Sequence, residues 1–461
     1  MTKPPGIPAS AAPQTHRLTW RSPLHVILST GIALALVVAL FWFVPDFVTD
    51  RFVKRRVTAA FAEAYPGYAL RIGRMQYGLW QNEVRCDSVL LIAADSTLSC
   101  TITRLSVRGI PRMQFIRQRD PEPGDTRNAV VAAQDIVFRF PMKQYEVRCA
   151  LLQLSVPDSV MRAETLAINP LGDDEQFFAN SKTRKNRVRL LVPQASARGM
   201  DYLALMQGNA YRAVSARIDN PSADVLINMD KPRTDDTSSL PWPNESLAGI
   251  AGVLHLDSLT VSNGRLKYGE RFAVGARAAQ ITIDSLRVLA EGIANHGDSA
   301  AVIVIRAEGR VLESGRMTFL ISIPVAQESN CQYSGSLSRM DLCAFDAFLE
   351  TAEQVRIKSG ELQSASFKIT VMSGQASGSV RAVYTDFTLA AINRQTGSEA
   401  GLPDAIASFV ANTFKIRGTN LPDKAGVVRL GNVHYVRKRD ESFLQFSWFA
   451  LRSGVQDVVG L

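Results

Sequence analysis

The sequence predicts a mainly β protein made of consecutive antiparallel strands, with one transmembrane helix near its N-terminus and a few short helices. Two patterns carry this prediction. Positions 26–44 form an apolar run without a charged residue. From Tyr68 onward, apolar and polar residues alternate with the period of a β-strand. A composition of 46% apolar and 21% charged residues excludes both a disordered chain and a protein with many membrane spans.

The apolar run has the length of a membrane-spanning helix. Its 19 residues rise about 28 Å, close to the ~30 Å hydrocarbon core of a bilayer. A cleaved signal peptide would have a shorter apolar region followed by small residues. Here Phe-Trp-Phe-Val-Pro follows instead, which favours an uncleaved anchor over residues 24–45. The side chains that we expect to hold it in the bilayer are Val26, Leu34, Leu36, Leu40 and Trp42.

The charges beside this helix do not decide its orientation. Residues 1–23 contain three basic residues, and four more follow the span between Arg51 and Arg56. The polar composition of residues 1–23 is typical of a cytoplasmic tail, and a β-rich remainder suits export. We therefore predict that the N-terminus is cytoplasmic and that the bulk of the chain lies outside the cytoplasm.

After the span, residues 46–65 have an apolar face with helical spacing and end at Pro66-Gly67. The strand-like runs beyond them are separated by turn residues, and Asn263-Gly264 is the strongest hairpin signal because it supports a type I′ turn. Short helices are predicted at Met340–Glu350 and Pro403–Asn412, and the apolar segment after Phe443 is predicted to be helical and packed. The strand runs are Ser88–Ile92, Leu98–Val107, Arg187–Val192, Val225–Asn228, Leu254–Val261, Arg265–Tyr268, Gln280–Val288, Ala301–Ala307, Met317–Ile323, Ala365–Val371, Val380–Leu389 and Val427–Val436.

A polar stretch divides the β-rich part of the chain. Residues 230–247 contain three prolines and little apolar sequence, as linkers do. We therefore predict an N-terminal β-rich region over 46–229 and a C-terminal one over 248–461.

Charge and cysteine content narrow the function classes. The net charge is +9, and the densest basic cluster follows the membrane span, where anionic lipid headgroups are the nearest partner. Nucleic-acid binding is therefore not predicted. The five cysteines form no CxxC pair, so we expect neither a zinc site nor a disulfide framework. Cys86 and Cys100 flank a predicted turn and either form a disulfide or serve as small buried hydrophobes.

Motifs for catalysis are missing from the sequence. It contains no nucleophile elbow, no glycine-rich phosphate loop and no HExxH zinc motif. The five histidines are scattered, and His255 and His434 lie within strand runs. We therefore predict no catalytic residue, no metal ligand and no cofactor, and we expect that the protein is not an enzyme.

The order of segments resembles the AsmA-like family of bacterial envelope proteins, which are bridge-like lipid transfer proteins. The resemblance extends over most of the chain, and none of its strings is a catalytic signature. It is carried by Gly67–Gly73 with Leu79–Leu91, by Arg198–Pro232 with its Asn220-Pro221, by Leu256–Tyr268, by Gly374–Leu389 and by Phe443–Gly454.

This resemblance implies a long, curved, groove-like antiparallel sheet, anchored in the inner membrane by a single pass and reaching into the periplasm. It also implies phospholipid or another envelope lipid as the partner. A lipid tail needs an apolar trough and no chemistry, because each CH₂ in water costs about 0.8 kcal/mol. We assign Leu259, Val261, Ile281 and Ile283 to the groove face, since residues i and i+2 share one side of a strand.

Two other functions stay open at this point. The chain is either a lipid-handling protein or a non-enzymatic scaffold that assembles envelope partners, and an anchored enzyme of unrecognised class is a third alternative. An open groove and a closed sandwich require the same alternation, so the pattern alone does not separate them.

Overall fold

The strands form where apolar residues recur at short spacing, and the chain reverses at polar turns between them. The computed structural model describes residues 51, 53–78, 81–109, 126–206, 210–232, 241–297, 300–326, 330–392, 416–439 and 441–460. This part of the chain is mainly β, with one large mixed sheet. Its strands are β1 (Tyr68–Gly78), β2 (Glu83–Ala93), β3 (Ser99–Arg108), β4 (Val130–Phe140), β5 (Tyr145–Ser155), β6 (Val160–Pro170), β7 (Asn186–Arg198), β8 (Ala210–Asp219), β9 (Ser222–Asn228), β10 (Val253–Arg271), β11 (Ala279–Ala294), β12 (Val302–Val311), β13 (Gly315–Pro324), β14 (Cys331–Leu337), β15 (Met340–Asp341), β16 (Val355–Met372), β17 (Gln375–Ala391) and β18 (Leu430–Val436).

The helices of the described part are short, except the last one. Ser442 caps the N-terminus of that helix, where its side chain and that of Gln445 form a reciprocal capping box, and Gly460 ends it in the left-handed conformation. The helices are α1 (Lys54–Ala64), α2 (Asp174–Ala179), α3 (Tyr202–Met206), α4 (Pro243–Ala248), α5 (Asp346–Glu353) and α6 (Phe443–Val459).

The strands pair in chain order along one sheet. Strands β1 to β7 form consecutive antiparallel pairs, and so do β10 to β14. Strand β16 pairs with β14 and with the short β15, then with β17, which pairs with β18. Strands β8 and β9 lie end to end between β7 and β10. The sheet is thus continuous from the first strand to the last.

Two pairings depart from the purely antiparallel sheet that the sequence predicted. Strand β10 runs parallel to both β8 and β9, so the sheet is mixed. A parallel pair needs a connection that returns to the starting end of the strand. The chain between β9 and β10 contains the whole predicted linker 230–247, and the described residues of this connection include α4. The predicted division into two regions stays a prediction.

The predicted hairpin at Asn263-Gly264 is wrong. Both residues lie inside β10, which continues from Val253 to Arg271. The runs Leu254–Val261 and Arg265–Tyr268 are therefore two halves of one strand. Asn263 does adopt a positive φ of 52°, as an Asn-Gly turn would require, but the chain does not reverse there. The ladder between β10 and β11 shifts its register at this point instead.

The predicted anchor over residues 24–45 lies outside the described residues, as does the predicted helix Pro403–Asn412. Within the part of the chain that is described, no helix combines the length and the apolar character needed to cross a bilayer. Helix α1 confirms helical structure within 46–65, and α5 and α6 overlap two other predicted helices. Each predicted strand run overlaps a strand of the sheet.

Candidate functional site

One face of β2 to β7 carries a regular apolar grid. Each of these strands contributes four apolar residues, spaced by two, three and two positions along the chain. The strand registers place them in four rows that cross all six strands. The grid, here called the open face, consists of Val84, Cys86, Val89, Leu91, Cys100, Ile102, Leu105, Val107, Val131, Ala133, Ile136, Phe138, Val147, Cys149, Leu152, Leu154, Met161, Ala163, Leu166, Ile168, Leu190, Val192, Ala195 and Ala197.

The three-residue step in the middle of each strand would put half of the apolar residues on the wrong face of a regular strand. The apolar residues nevertheless share one face, because the pairing between neighbouring strands is interrupted at this step, along a line that crosses the sheet. We call this line the break row, and one opposed pair is missing from each ladder along it. The break row consists of Gly73, Ser88, Thr103, Asp135, Ala150, Thr165, Pro193, Asn220, Asn263 and Ser285.

Positive φ angles alternate along the break row from β2 to β7. Ser88, Asp135 and Thr165, in β2, β4 and β6, have φ values of 58°, 51° and 50°. The intervening Thr103 and Ala150 do not have positive φ. Left-handed residues of this kind occur at β-bulges, which re-aim side chains and bend strands. The break row therefore returns both halves of each strand to the same apolar face.

Polar side chains replace missing ladder contacts where β10 crosses the break row. The Asn263 amide donates to the Asn220 side-chain oxygen over 2.8 Å, and the Asn220 backbone N–H donates to the Ser262 carbonyl. Asp219 accepts hydrogen bonds from Ser262 and Arg217, which hold the pKa of its carboxyl below the ordinary value. The Asn-Gly signal in the sequence thus marks a bulge within the strand.

The open face has no second layer among the described residues. The cluster around Ile136 and Cys149 draws all its members from β2 to β6 themselves. Leu105, Phe138 and Leu152 stay partly exposed although they lie in the middle of the sheet. At the β1 end, Val53, just before α1, packs against the cluster of β1 and β2. Nine of the 24 side chains of the open face are buried and the other fifteen are partly exposed, without a second layer of described residues over them.

The C-terminal strands use the same alternation to build a filled core. Helix α6 lies over β17 and β18, and Phe446, Ala450 and Val458 are completely buried. Trp242, from the connection between β9 and β10, is also completely buried and contacts Phe446 with ring centroids 5.2 Å apart. We call β11–β18 with α4, α5 and α6 the filled half. Both arrangements, open and filled, thus occur in one sheet.

The predicted groove residues lie where the open face continues into the filled half. Leu259 and Val261 pair with Ala290 and Val288 of β11 on one side of the break row. Ile281 and Ile283 lie on its other side and pack against the core of the filled half. All four are partly buried.

A polar cluster lies at the end of β10 beside the filled half. The Tyr268 hydroxyl donates to Glu270 over 2.7 Å, and Glu270 is only 8% exposed. Burial raises the pKa of Glu270 above its ordinary value, and the nearby Glu353 adds to this rise, while the Tyr268 hydrogen bond opposes it. Arg452 of α6 forms two hydrogen bonds to Glu353, at 2.5 and 2.9 Å, and so ties α6 to α5.

The cysteines are free thiols and serve as apolar side chains. Cys86 lies opposite Leu105 and Cys100 opposite Leu91, so the two cysteines are five positions out of register and are not bonded. At about 3.3 Å per residue this offset is roughly 16 Å, far beyond disulfide reach. Burial raises the pKa of Cys86 to about 11, and a thiol with this pKa is unreactive at neutral pH.

The histidines of the described part do not converge. His255 contacts Asp257 at 2.9 Å on the exposed surface of β10, with both side chains about half exposed. His434 is exposed on β18, and His296 contacts only its neighbour Asn295 through the side chain.

No protein-family model matches this sequence, and no curated protein matches it either. The open face is therefore the candidate functional surface, and its identification rests on its geometry.

The sequence contained a signal for this surface that simple alternation hides. The spacing of two, three and two recurs six times, and in five of the six strands the three-residue step contains a polar residue. Pro193 gives a second signal, because a proline inside a central strand is tolerated only where a ladder hydrogen bond is already missing.

Proposed function

We propose that this protein handles phospholipid or another envelope lipid, as a single-pass inner-membrane protein of AsmA type whose β-rich part lies in the periplasm. The observation that carries this proposal is the open face, an apolar surface without cover in the described part of the chain. The anchor residues and the orientation belong to the proposal and rest on the apolar run in the sequence.

The dimensions of the open face suit an acyl chain. Six strands spaced by about 4.8 Å give a width of roughly 24 Å, and the seven residue steps between the outer rows, at about 3.3 Å each, give a length of roughly 23 Å. A leaflet tail extends about 15 Å, half of the ~30 Å hydrocarbon core, so it fits within either dimension. The grid covers about 550 Å² of the sheet, in the range of the largest apolar patches on soluble monomers, which often have a function.

The free energy of apolar burial also favours an acyl chain on the open face. Each CH₂ that leaves water gains about 0.8 kcal/mol, so a tail resting on the face with one side covered recovers a large part of its hydration cost. No reacting group is needed for this, since the grid contains only apolar side chains and thiols with raised pKa values.

Photocrosslinking from two adjacent positions tests the proposal. Phe138 points into the open face, and Arg139 is exposed on the opposite face of the same strand. Replacing Phe138 by p-benzoylphenylalanine keeps an aromatic ring in place, and irradiation of cells should then yield lipid adducts of the full-length protein, detected by mass spectrometry. The same replacement of Arg139 is the control and should yield none.

Equal lipid labelling at positions 138 and 139, or none at 138, would contradict lipid binding on the open face. Protein adducts at position 138 without lipid would instead favour the scaffold function.

A further inference from the structure

A pocket of about 450 Å³ lies on the other face of the sheet, behind the open face. It is formed by β2 to β5 at the end where β2 begins. The strand registers arrange its lining as a grid, with Arg85, Ser106, Ala132 and Gln153 side by side on four neighbouring strands. The remaining lining residues are Glu83, Arg104, Arg108, Val130, Gln134 and Leu151.

The pocket exists because its two central side chains are small. Ser106 and Ala132 occupy the middle of the grid, and longer side chains surround them. In an antiparallel sheet, neighbours across strands are about 5 Å apart, so long side chains on every side leave a depression over the short ones. We name this depression the arginine pocket.

The charge of the arginine pocket is positive. It contains three arginines and one acid, Glu83, which is 2% exposed. Glu83 pairs with Arg85 at 2.9 Å and with Arg108 at 3.1 Å. Burial raises the pKa of Glu83, but hydrogen bonds and charges from the two arginines outweigh this effect, and its pKa lies below the ordinary value. Glu83 thus stays ionised and holds two guanidinium groups at the pocket.

Arg104 is the least neutralised of the three arginines. Its contacts are Asp87, at 3.7 Å, and the Gln134 side-chain oxygen, at 3.4 Å. Its side chain is 53% exposed. A guanidinium has five N–H donors in a planar fork that matches the oxygens of phosphate, and the two contacts of Arg104 are long for charge-assisted hydrogen bonds.

The lining is also partly apolar. Val130, Ala132 and Leu151 supply hydrocarbon surface beside the guanidinium groups. A pocket of 450 Å³ falls in the range of small-molecule sites and exceeds the size of a bare phosphate ion. A ligand that uses the whole pocket therefore combines an anionic group with a short apolar part.

We propose that the arginine pocket binds the phosphate group of an amphipathic phosphate ester. This proposal is independent of the open face, because the sheet separates the two surfaces. The shared chemistry is a phosphate attached to an alkyl group, and it has two sources, the headgroup of a phospholipid and a soluble phosphate ester.

The test uses the full-length protein in a neutral detergent, with calorimetric titration of three probes: inorganic phosphate, hexyl phosphate and dihexanoyl phosphatidic acid. Arg104→Gln removes a charge from the pocket, and Ala132→Ile fills the pocket without changing any charge. Isoleucine is favoured in strands, so the second variant should fold. Arg139→Gln removes a guanidinium from a distant part of the same face and is the matched control. Far-UV circular dichroism checks the fold of all three.

We expect hexyl phosphate and dihexanoyl phosphatidic acid to bind more tightly than inorganic phosphate. Arg104→Gln and Ala132→Ile should each weaken their binding at least tenfold, and Arg139→Gln should change it less than twofold. Tighter binding of the phosphatidic acid than of hexyl phosphate assigns the site to a lipid headgroup, and the reverse order assigns it to a soluble ester.

Two results would overturn the proposal. One is the absence of binding of every probe to the unmodified protein. The other is binding that neither Arg104→Gln nor Ala132→Ile weakens, since that binding would occur elsewhere, the open face included. A negative result in this titration would not change the result of photocrosslinking at position 138, so the two proposals are tested independently.

Discussion

Two threonines of the break row provide a sharp test of how the sheet is built. Thr165 in β6 and Thr103 in β3 are both exposed and lie in the same row, but only Thr165 has a positive φ, of 50°. A left-handed conformation costs an L-residue about 1–2 kcal/mol, and β-branched residues adopt it rarely. Glycine adopts it without this cost. Replacing each threonine by glycine should therefore have different consequences for stability.

The magnitudes follow from two terms. Glycine in a strand loses up to about 1 kcal/mol through weaker strand propensity and greater chain entropy. Thr103→Gly suffers this loss alone and should destabilise the protein by about 1 kcal/mol. Thr165→Gly suffers the same loss but gains about 1–2 kcal/mol from the relieved backbone, so it should be neutral or slightly stabilising.

Equilibrium urea unfolding of the full-length protein, followed by far-UV circular dichroism, measures both variants. Thr165→Gly should unfold at a higher urea concentration than Thr103→Gly. The difference between the two midpoints, multiplied by the unfolding slope, should correspond to about 1–2 kcal/mol. An equal loss in both variants would show that Thr165 is not strained and would refute the alternation of left-handed residues along the break row.

Two further perturbations test the filled half and the polar cluster beside it. Gly431→Ala would place a methyl group 1.9 Å from the Gly454 carbonyl oxygen, so it should detach α6 and lower the melting temperature by several degrees. Gly67→Ala is the control, because nothing lies within 4 Å of its added methyl group. Equal melting temperatures of the two variants would contradict the close contact between Gly431 and Gly454. Glu270→Gln should keep the Tyr268 hydrogen bond while removing a buried charge. Because the pKa of Glu270 is raised in the folded state, the native protein loses stability as pH rises from about 4.3, so the variant's advantage in thermal unfolding should be small at pH 4 and larger at pH 8. An advantage that does not grow with pH would contradict the raised pKa.

Much of the fold could be predicted from local sequence signals. Alternating apolar residues indicated the strands, and the apolar segment after Phe443 indicated the helix that packs on β18. Several strands, with β4, β5 and β6 among them, were not among the predicted runs. In β2 and β7 the predicted runs, Ser88–Ile92 and Arg187–Val192, cover only one side of the break row, since the three-residue step interrupts a strict period of two.

The hairpin prediction failed for a related reason. Asn-Gly indicates that the backbone accepts positive φ, and this holds for Asn263. Whether the chain reverses after such a residue depends on the strands that flank it, and here β8, β9 and β11 hold β10 straight on both sides. The arginine pocket could not be predicted from the sequence either, because Arg85, Arg104 and Gln153 become neighbours only through the register of four strands.

The contrast between the open face and the filled half bears on why the sheet has apolar residues on one face. If the apolar alternation served only to fold the chain, each part of the sheet would need a cover, as α6 and Trp242 supply for the C-terminal strands. The grid on β2 to β7 has equally regular spacing and fully apolar composition, but the described chain supplies it with no such element. An apolar face without a cover of its own is typical of an interaction surface. The lipid tail that we propose would cover the grid and leave the register of the strands unchanged.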